Sequence, residues 1–268
     1  MRGEAPTALP LEGALSPGNR HMSLLEIKNV TKTFGGVTAI EGVSVNVEEH
    51  TLLGIIGPNG SGKTTLVNIV TGFVKPDKGS VLFKGRELTG RPPYKVSNMG
   101  IGRAFQMVKP FFHLPAYKNL IVPLSSPRVR ASSVGAYGDK DATALDLLEE
   151  VGFERDSSVP YKPASALPHG YLKRLELARL IALQSEVFIL DELFSGLSIA
   201  EVMSIVPIIE KLLIEGKTVI MVEHRLKELF RIADKVIVLS YGKKIKEGPP
   251  KEILEDEEVK RAYLGVEV

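Results

Sequence analysis

Apolar and polar residues alternate between Leu24 and Glu49, as in Leu25-Glu26-Ile27-Lys28-Asn29-Val30 and Val43-Ser44-Val45-Asn46-Val47. A period of two sends successive side chains to opposite faces of an extended chain, so this stretch predicts half-buried strands. Gly79-Ser80-Val81-Leu82-Phe83-Lys84-Gly85 repeats the pattern, which predicts a small antiparallel sheet. Other runs are apolar without alternation: Thr51 to Ile56, Val187 to Leu190 and Thr218 to Val222. Continuous apolar runs suit strands covered on both faces, as in parallel sheets. Ile101 to Gln106 reads as one more short strand. Helical spacing marks Asp141 to Val151, Leu172 to Leu183 and Ala200 to Ile214, the last stopped by Gly216. From Met107 to about Leu183 the chain reads as mostly helical, interrupted by a Ser-, Pro- and Gly-rich piece, Ser125 to Tyr137, expected to be the most mobile loop. Val236 to Leu239 and Lys243 to Glu247 flank Ser240-Tyr241-Gly242 as a hairpin. Strands alternating with helices predict an α/β fold around a parallel sheet. No internal repeat is visible.

Composition narrows this picture. The 268 residues suffice for one large domain or two small ones. A net charge of +2 offers no bulk attraction for nucleic acid. The chain has no cysteine, which excludes disulfides and thiolate metal sites. No run of 18 apolar residues suggests a membrane span, so any attachment to a membrane would run through a partner. Residues 1–22 are rich in Pro, Gly and Ala and lack periodicity. They read either as a tag joined at His21-Met22 or as a disordered extension, and they stand apart from the fold.

One segment carries specific chemistry. Gly57-Pro58-Asn59-Gly60-Ser61-Gly62-Lys63-Thr64-Thr65 fits the phosphate-loop pattern G-x-x-x-x-G-K-[ST] in full, between an apolar strand and the apolar start of a helix. With glycine at about 7% of residues, a chance match in such a chain is on the order of 1%. Backbone N–H groups of such a loop and the helix N-terminus together form an anion hole. Gly60 and Gly62 let the backbone approach phosphate without a Cβ in the way. Lys63 would reach the β- and γ-phosphates, and the Thr64 hydroxyl would ligate Mg²⁺. A nucleoside triphosphate is the expected ligand.

Four further candidates lie near strand ends, where α/β folds place ligand chemistry. Leu190-Asp191-Glu192 closes an apolar strand with two carboxylates. Neighbouring strand residues point to opposite faces, so the two acids would do different jobs. Asp191 suits a Mg²⁺-binding role, direct or through water, and Glu192 the polarisation of an attacking water. His224 closes the next buried strand, where it could contact the γ-phosphate. Gln106 ends Ala104-Phe105-Gln106 and reads either as a surface residue or as a ligand for Mg²⁺ or water.

In this order and spacing, these pieces resemble the ATP-binding cassette ATPases, from about Leu24 to the C-terminus. Within that family the chain is most similar to the ATPase subunits of branched-chain amino-acid importers. The segments that carry the resemblance are Asn29-Val30-Thr31-Lys32-Thr33-Phe34-Gly35-Gly36, the phosphate loop, and Gly100-Ile101-Gly102-Arg103-Ala104-Phe105-Gln106. Val222-Glu223-His224 and the closing Ala262-Tyr263-Leu264-Gly265 complete it. The resemblance implies a P-loop NTPase fold: a RecA-like parallel sheet with flanking helices, an antiparallel β subdomain and a helical subdomain. It divides 23–268 into a nucleotide-binding core with the antiparallel part (24–106), a helical subdomain (107–183), and the rest of the core with the C-terminal part (184–268). It implies that Phe34 stacks on adenine, the alternative being a core phenylalanine. It also implies that Gln106 links γ-phosphate and Mg²⁺ to the helical part, that Asp191 is the metal acid, Glu192 the catalytic base and His224 the switch histidine.

The same resemblance implies ATP and Mg²⁺ as cofactors, and as partners a second ATPase subunit and integral membrane permease subunits. The expected location is cytoplasmic, at the inner face of the membrane. Lys109 to Leu114 falls where the family contacts its permease; Phe111 and Phe112 are either core residues or exposed anchors. Other cargoes remain open, among them urea, amides and exported lipopolysaccharide, as does a regulatory ATP-binding module without a permease.

The chain departs from the family in two places. The signature L-S-G-G-Q, which caps the γ-phosphate held by the other subunit, is here Leu167-Pro168-His169-Gly170-Tyr171. Pro168 offers neither a hydroxyl nor an N–H, and one lost donor to developing charge costs about 3–4 kcal/mol. Ser198 stands where the family's D-loop carries Asp or Asn. The expectation is an asymmetric heterodimer in which the partner completes the site on this chain.

Overall fold

The computed structural model describes residues 23–132 and 138–264. Residues 1–22, the 133–137 part of the expected loop and Gly265 lie outside the described residues. In chain order come β1 (Leu25–Phe34), β2 (Val37–Val47), β3 (Leu52–Ile56), α1 (Lys63–Val70), β4 (Lys78–Phe83), β5 (Arg86–Glu87), α2 (Pro93–Met99) and β6 (Ile101–Ala104). Four helices follow: α3 (Ile121–Leu124), α4 (Pro127–Ala131), α5 (Lys140–Glu150) and α6 (His169–Ala182). The chain then alternates through β7 (Val187–Asp191), α7 (Ile199–Ile214), β8 (Thr218–Val222), α8 (Leu226–Ile232) and β9 (Lys235–Ser240). It closes with β10 (Lys243–Gly248), α9 (Pro250–Glu255) and α10 (Glu257–Leu264).

The strands form two sheets. One is antiparallel with order β2-β1-β4-β5. The other has order β10-β9-β3-β8-β7-β6, parallel from β9 to β6 with β10 antiparallel at its edge. The continuous apolar strands are buried at every residue, because the parallel sheet is covered on both faces. Alternation within them sorts side chains into two cores. Leu53, Ile55, Ile189 and Ile220 join α1 and the antiparallel sheet. Leu52, Ile56, Leu190 and Met221 join α5, α6 and α7. Gly54 faces this second side, where an added Cβ would lie 3.1 Å from Leu229 of α8 and 3.2 Å from Val236.

Several expectations shift. The helix after the phosphate loop ends at Val70, stopped by Thr71, whose hydroxyl bonds the Val67 carbonyl. The strand expected to reach Gln106 stops at Ala104, and the one expected to reach His224 stops at Val222. Both residues therefore sit on loops beyond the strand ends, free of the ladder. Helix is absent between Met107 and Ala116, and α4 occupies part of the stretch expected to be loop. Ser126 caps that helix by accepting the Val129 N–H, with Pro127 behind it. The hairpin at 240–242 is as expected. No helix among the described residues is long and apolar enough to cross a membrane.

Candidate functional site

The phosphate loop links β3, at the centre of the parallel sheet, to α1. Gly62 caps α1 with a φ of 101°, and a Cβ there would lie 2.5 Å from the Ala39 carbonyl oxygen. Packing against β2 thus requires glycine at this position. Gly60, with a φ of 78°, has open space where its Cβ would be. That space is the mouth of the loop, and Asn59 and Thr64 are exposed beside it. Ser61 Oγ is buried without a hydrogen-bond partner. The Lys63 ammonium folds back to donate to the Gly57 carbonyl at 2.7 Å and the Pro58 carbonyl at 3.0 Å. Burial lowers its pKa, while the charges of Glu192 and Asp191 oppose the shift. The loop and the acidic strand end therefore share one electrostatic site.

The strand-end residues converge. The Gln106 side-chain amide donates to Glu192 Oε2 at 2.6 Å, and His224 Nε2 bonds Glu192 Oε1 at 3.1 Å. Glu192 takes a φ of 50°, a left-handed conformation that disfavours side chains. That backbone turn sends its carboxylate out of the strand's alternation. Asp191 has a different partner: its Oδ2 accepts from Arg103 at 2.6 Å, and both side chains are buried. Arg103 also donates to Asn68 on α1 at 2.7 Å, and its Nε is buried without a partner. Phe34 is 47% exposed at the end of β1, not in the core. Thr65 is half-buried on the first turn of α1.

These groups suit a Mg-nucleotide. The loop offers N–H donors, an orphaned hydroxyl and open space. Among the described residues no three His, Asp or Glu side chains are grouped to hold a metal by themselves. Mg²⁺ commonly takes one or two carboxylates and completes its shell with phosphate and water, so one acid and the Thr64 hydroxyl suffice.

The sequence model of the ABC transporter family matches residues 40–195. The chain belongs to the ABC transporter ATPases. A second model, described as the branched-chain amino acid ATP-binding cassette transporter, matches residues 243–268. The ABC ATPase chain is 34% identical over 256 residues to the high-affinity branched-chain amino acid transport ATP-binding protein BraF of Pseudomonas aeruginosa, covering 90% of this chain and 98% of that protein. It is also 34% identical over 246 residues to the lipopolysaccharide export system ATP-binding protein LptB of Escherichia coli, covering 91% and 98%. Among solved structures, a nucleotide-free ATP-binding cassette from an ABC transporter superposes with a TM-score of 0.80 at 30% identity, covering 91% of this chain and all of that one. An ADP-bound cassette superposes with a TM-score of 0.79. The P-loop NTPase fold, with its parallel sheet and antiparallel β subdomain, is the one the sequence reading expected.

Some participants in this ABC ATPase's site were missed by sequence reasoning. Arg103 stood within a quoted segment, but nothing local marked it as the partner of Asp191. Lys173 is fully buried on α6 and donates to the main-chain carbonyls of Gln106 and Glu192. Glu223 is buried beside His224 and accepts the Phe194 N–H at 2.8 Å; burial pushes its carboxyl up to about 7. Tyr263 of α10 meets the Gly57 backbone, and burial raises its phenol to about 12. Ser198, noted only as a departure, caps α7 in a reciprocal box with Glu201. The S-x-x-E spacing before an apolar run was the available signal.

Proposed function

We propose that this ABC ATPase binds MgATP between the phosphate loop and the loops after β6, β7 and β8, and that its hydrolysis powers import of branched-chain amino acids. The observation that carries the reading is the convergence of Gln106 and His224 on the Glu192 carboxylate within electrostatic reach of Lys63. In this reading Phe34 stacks on adenine. Gly57, Pro58, Asn59, Gly60, Ser61, Gly62 and the first turn of α1 with Thr65 hold the phosphates through their N–H groups. Lys63 leaves the Gly57 and Pro58 carbonyls for phosphate oxygen, which satisfies its buried charge better than two neutral acceptors do. Thr64, Gln106 and Asp191 would hold Mg²⁺, which supplies charge neutralisation for phosphoryl transfer. Gln106 must then release Glu192 Oε2, freeing that oxygen to accept a proton from the attacking water. His224 donates to the γ-phosphate from the other side of the same carboxylate.

The match of residues 243–268 to the branched-chain amino acid ATP-binding cassette transporter model supports the cargo. The similarity to a lipopolysaccharide exporter's ATPase favours a second reading, in which the cargo is exported. Transport by the chain co-purified with its permease and reconstituted into vesicles separates the two: uptake of labelled leucine supports the first. The partners proposed are that permease and a second ATPase subunit, with the chain held at the cytoplasmic face. A groove of about 690 Å³ between α2, α3 and α6, lined by Tyr94, Phe105, Lys109, Val122 and Arg179, supports permease docking. Phe111 and Phe112 are each 43% exposed, and the Phe111 ring lies 5.6 Å from the Arg179 guanidinium of that groove, which suits the anchor reading over the core reading.

The test of the chemistry is E192Q. Its hydrolysis rate is expected to fall by at least about 100-fold with ATP affinity within a few-fold of the parent. Parent-like turnover in E192Q would remove Glu192 as the base.

A further inference from the structure

Lys173 sits on the fifth residue of α6, yet its side chain leaves the helical layer and enters the strand-end region. It has no exposed surface. Its ammonium donates to the main-chain carbonyl of Gln106 at 2.9 Å and to that of Glu192 at 3.2 Å. Those carbonyls belong to the two residues whose side chains meet each other at 2.6 Å. One cation therefore clasps both loops from behind while their side chains close the front. Removing an ammonium from water is costly, and burial lowers its pKa. The compensation comes from Glu223, Glu176, Glu192 and Asp191, which all oppose that shift. Glu223 holds the opposite flank of the same loop, through the Phe194 N–H.

The left-handed backbone of Glu192 makes this clasp consequential. A residue with a side chain holds such a φ only when its surroundings over-determine it. At Glu192 the surroundings are its N–H donating to the Val222 carbonyl at 2.8 Å and its own carbonyl, which accepts from the Ser195 N–H at 3.1 Å within the turn and from Lys173 at 3.2 Å across to α6. Loss of the Lys173 bond would leave this conformation less determined, and the direction of the carboxylate depends on that conformation. We propose that Lys173 is a positioning residue for ATP hydrolysis: it fixes the Gln106 and Glu192 main chains to α6, so that turning α6 carries the amide and the carboxylate together. The inference rests on Glu192 being the base.

The test uses the full chain with K173M, which keeps the apolar stem and removes the donors, and K173R, which keeps a cation with several donors. Single-turnover ATP hydrolysis is measured with protein in excess, nucleotide affinity by titration with a fluorescent ATP analogue, and amide hydrogen exchange across the chain. A misplacement of about 1 Å can cost on the order of 100-fold in rate, so K173M is expected to lower the hydrolysis rate by about 30-fold or more. Its nucleotide affinity should stay within about threefold, the separation of rate from binding that marks a positioning role. Exchange should rise at residues 106–109 and 192–195 and stay parent-like in the rest of α6. A folded K173M that hydrolyses at the parent rate overturns the proposal, as does a slow K173M whose exchange at both segments is unchanged. Should K173M not fold, K173R decides by the same pairing: rate and exchange both retained, or both altered, support the clasp, and divergence overturns it. Failure of the base assignment itself would appear in E192Q and not in this pair.

Discussion

Arg103 and Asp191 face each other across adjacent strands with their side chains only 8% and 5% exposed. A buried pair is weak evidence for stability, but breaking it strands a charge. R103M is therefore expected to lose about 3–5 kcal/mol in urea unfolding, since Asp191 would stay buried beside an apolar stem. Glu223 makes a pH prediction. Burial raises its carboxyl from 4.5 to about 7. Below the unfolded value it is neutral in both states and costs nothing. As pH rises through this window the unfolded chain ionises first, so stability falls, and above the folded value the full cost is present. That cost is about 3 kcal/mol. E223Q keeps an acceptor for the Phe194 N–H and removes the ionisation. Between pH 5 and pH 8 the parent should lose more stability than E223Q by about that amount, measured by chemical denaturation at each pH.

At the scale of elements, helix ends and irregularities decide where function sits. β6, β7 and β8 run parallel in register, so their carboxyl ends open on one edge beside the phosphate loop. Loops leaving that edge carry Gln106, Glu192 and His224, and each of the three lies beyond the last residue of its strand. A residue inside the ladder would have its direction set by the pleat; beyond it, the loop can aim the side chain. α7 shows a different economy. Its Ser198–Glu201 box starts the helix firmly, yet Pro207 interrupts its ladder on an exposed turn. Proline in a helix interior removes one N–H donor and crowds the preceding turn. P207A is expected to raise stability by about 1 kcal/mol or more, which thermal unfolding would register as an increase of a few degrees. A decrease would show that Pro207 itself contributes to the packing of α7.

For the whole molecule, the altered signature region is the feature with the widest consequence. Pro168 precedes α6 and His169 begins it, and His169 Nε2 lies 3.2 Å from the Ser195 carbonyl oxygen on the loop after Glu192. Both positions are exposed, so the imidazole lies over a surface where the family expectation puts a second subunit. With neither the Ser hydroxyl nor the Pro168 N–H available, two copies of this chain would cap each other's nucleotide poorly. The isolated chain is expected to hydrolyse ATP slowly. Replacing both residues, P168S with H169G, should raise its turnover by at least about tenfold, because a restored donor to developing charge is worth that much or more. Brisk turnover by the unmodified chain would count against the asymmetric dimer.

Much was written in local order. The phosphate loop was legible because every residue that makes it is contiguous and its flanking strand and helix are its neighbours in sequence. The buried strands and the amphipathic α7 were legible because burial on two faces or on one stripe leaves a period. What the sequence by itself determined is thus the set of short-range patterns: strand, glycine loop, helix, and the acid pair at Asp191 and Glu192. Only the tertiary structure decided which of those acids meets Arg103 and which meets Gln106 and His224. It alone brought Lys173 under two loops 67 and 19 residues away. Such contacts join residues with no common period, made neighbours by strand order in the sheet and by the packing of α6 upon it, and strand order is not a local property of any segment.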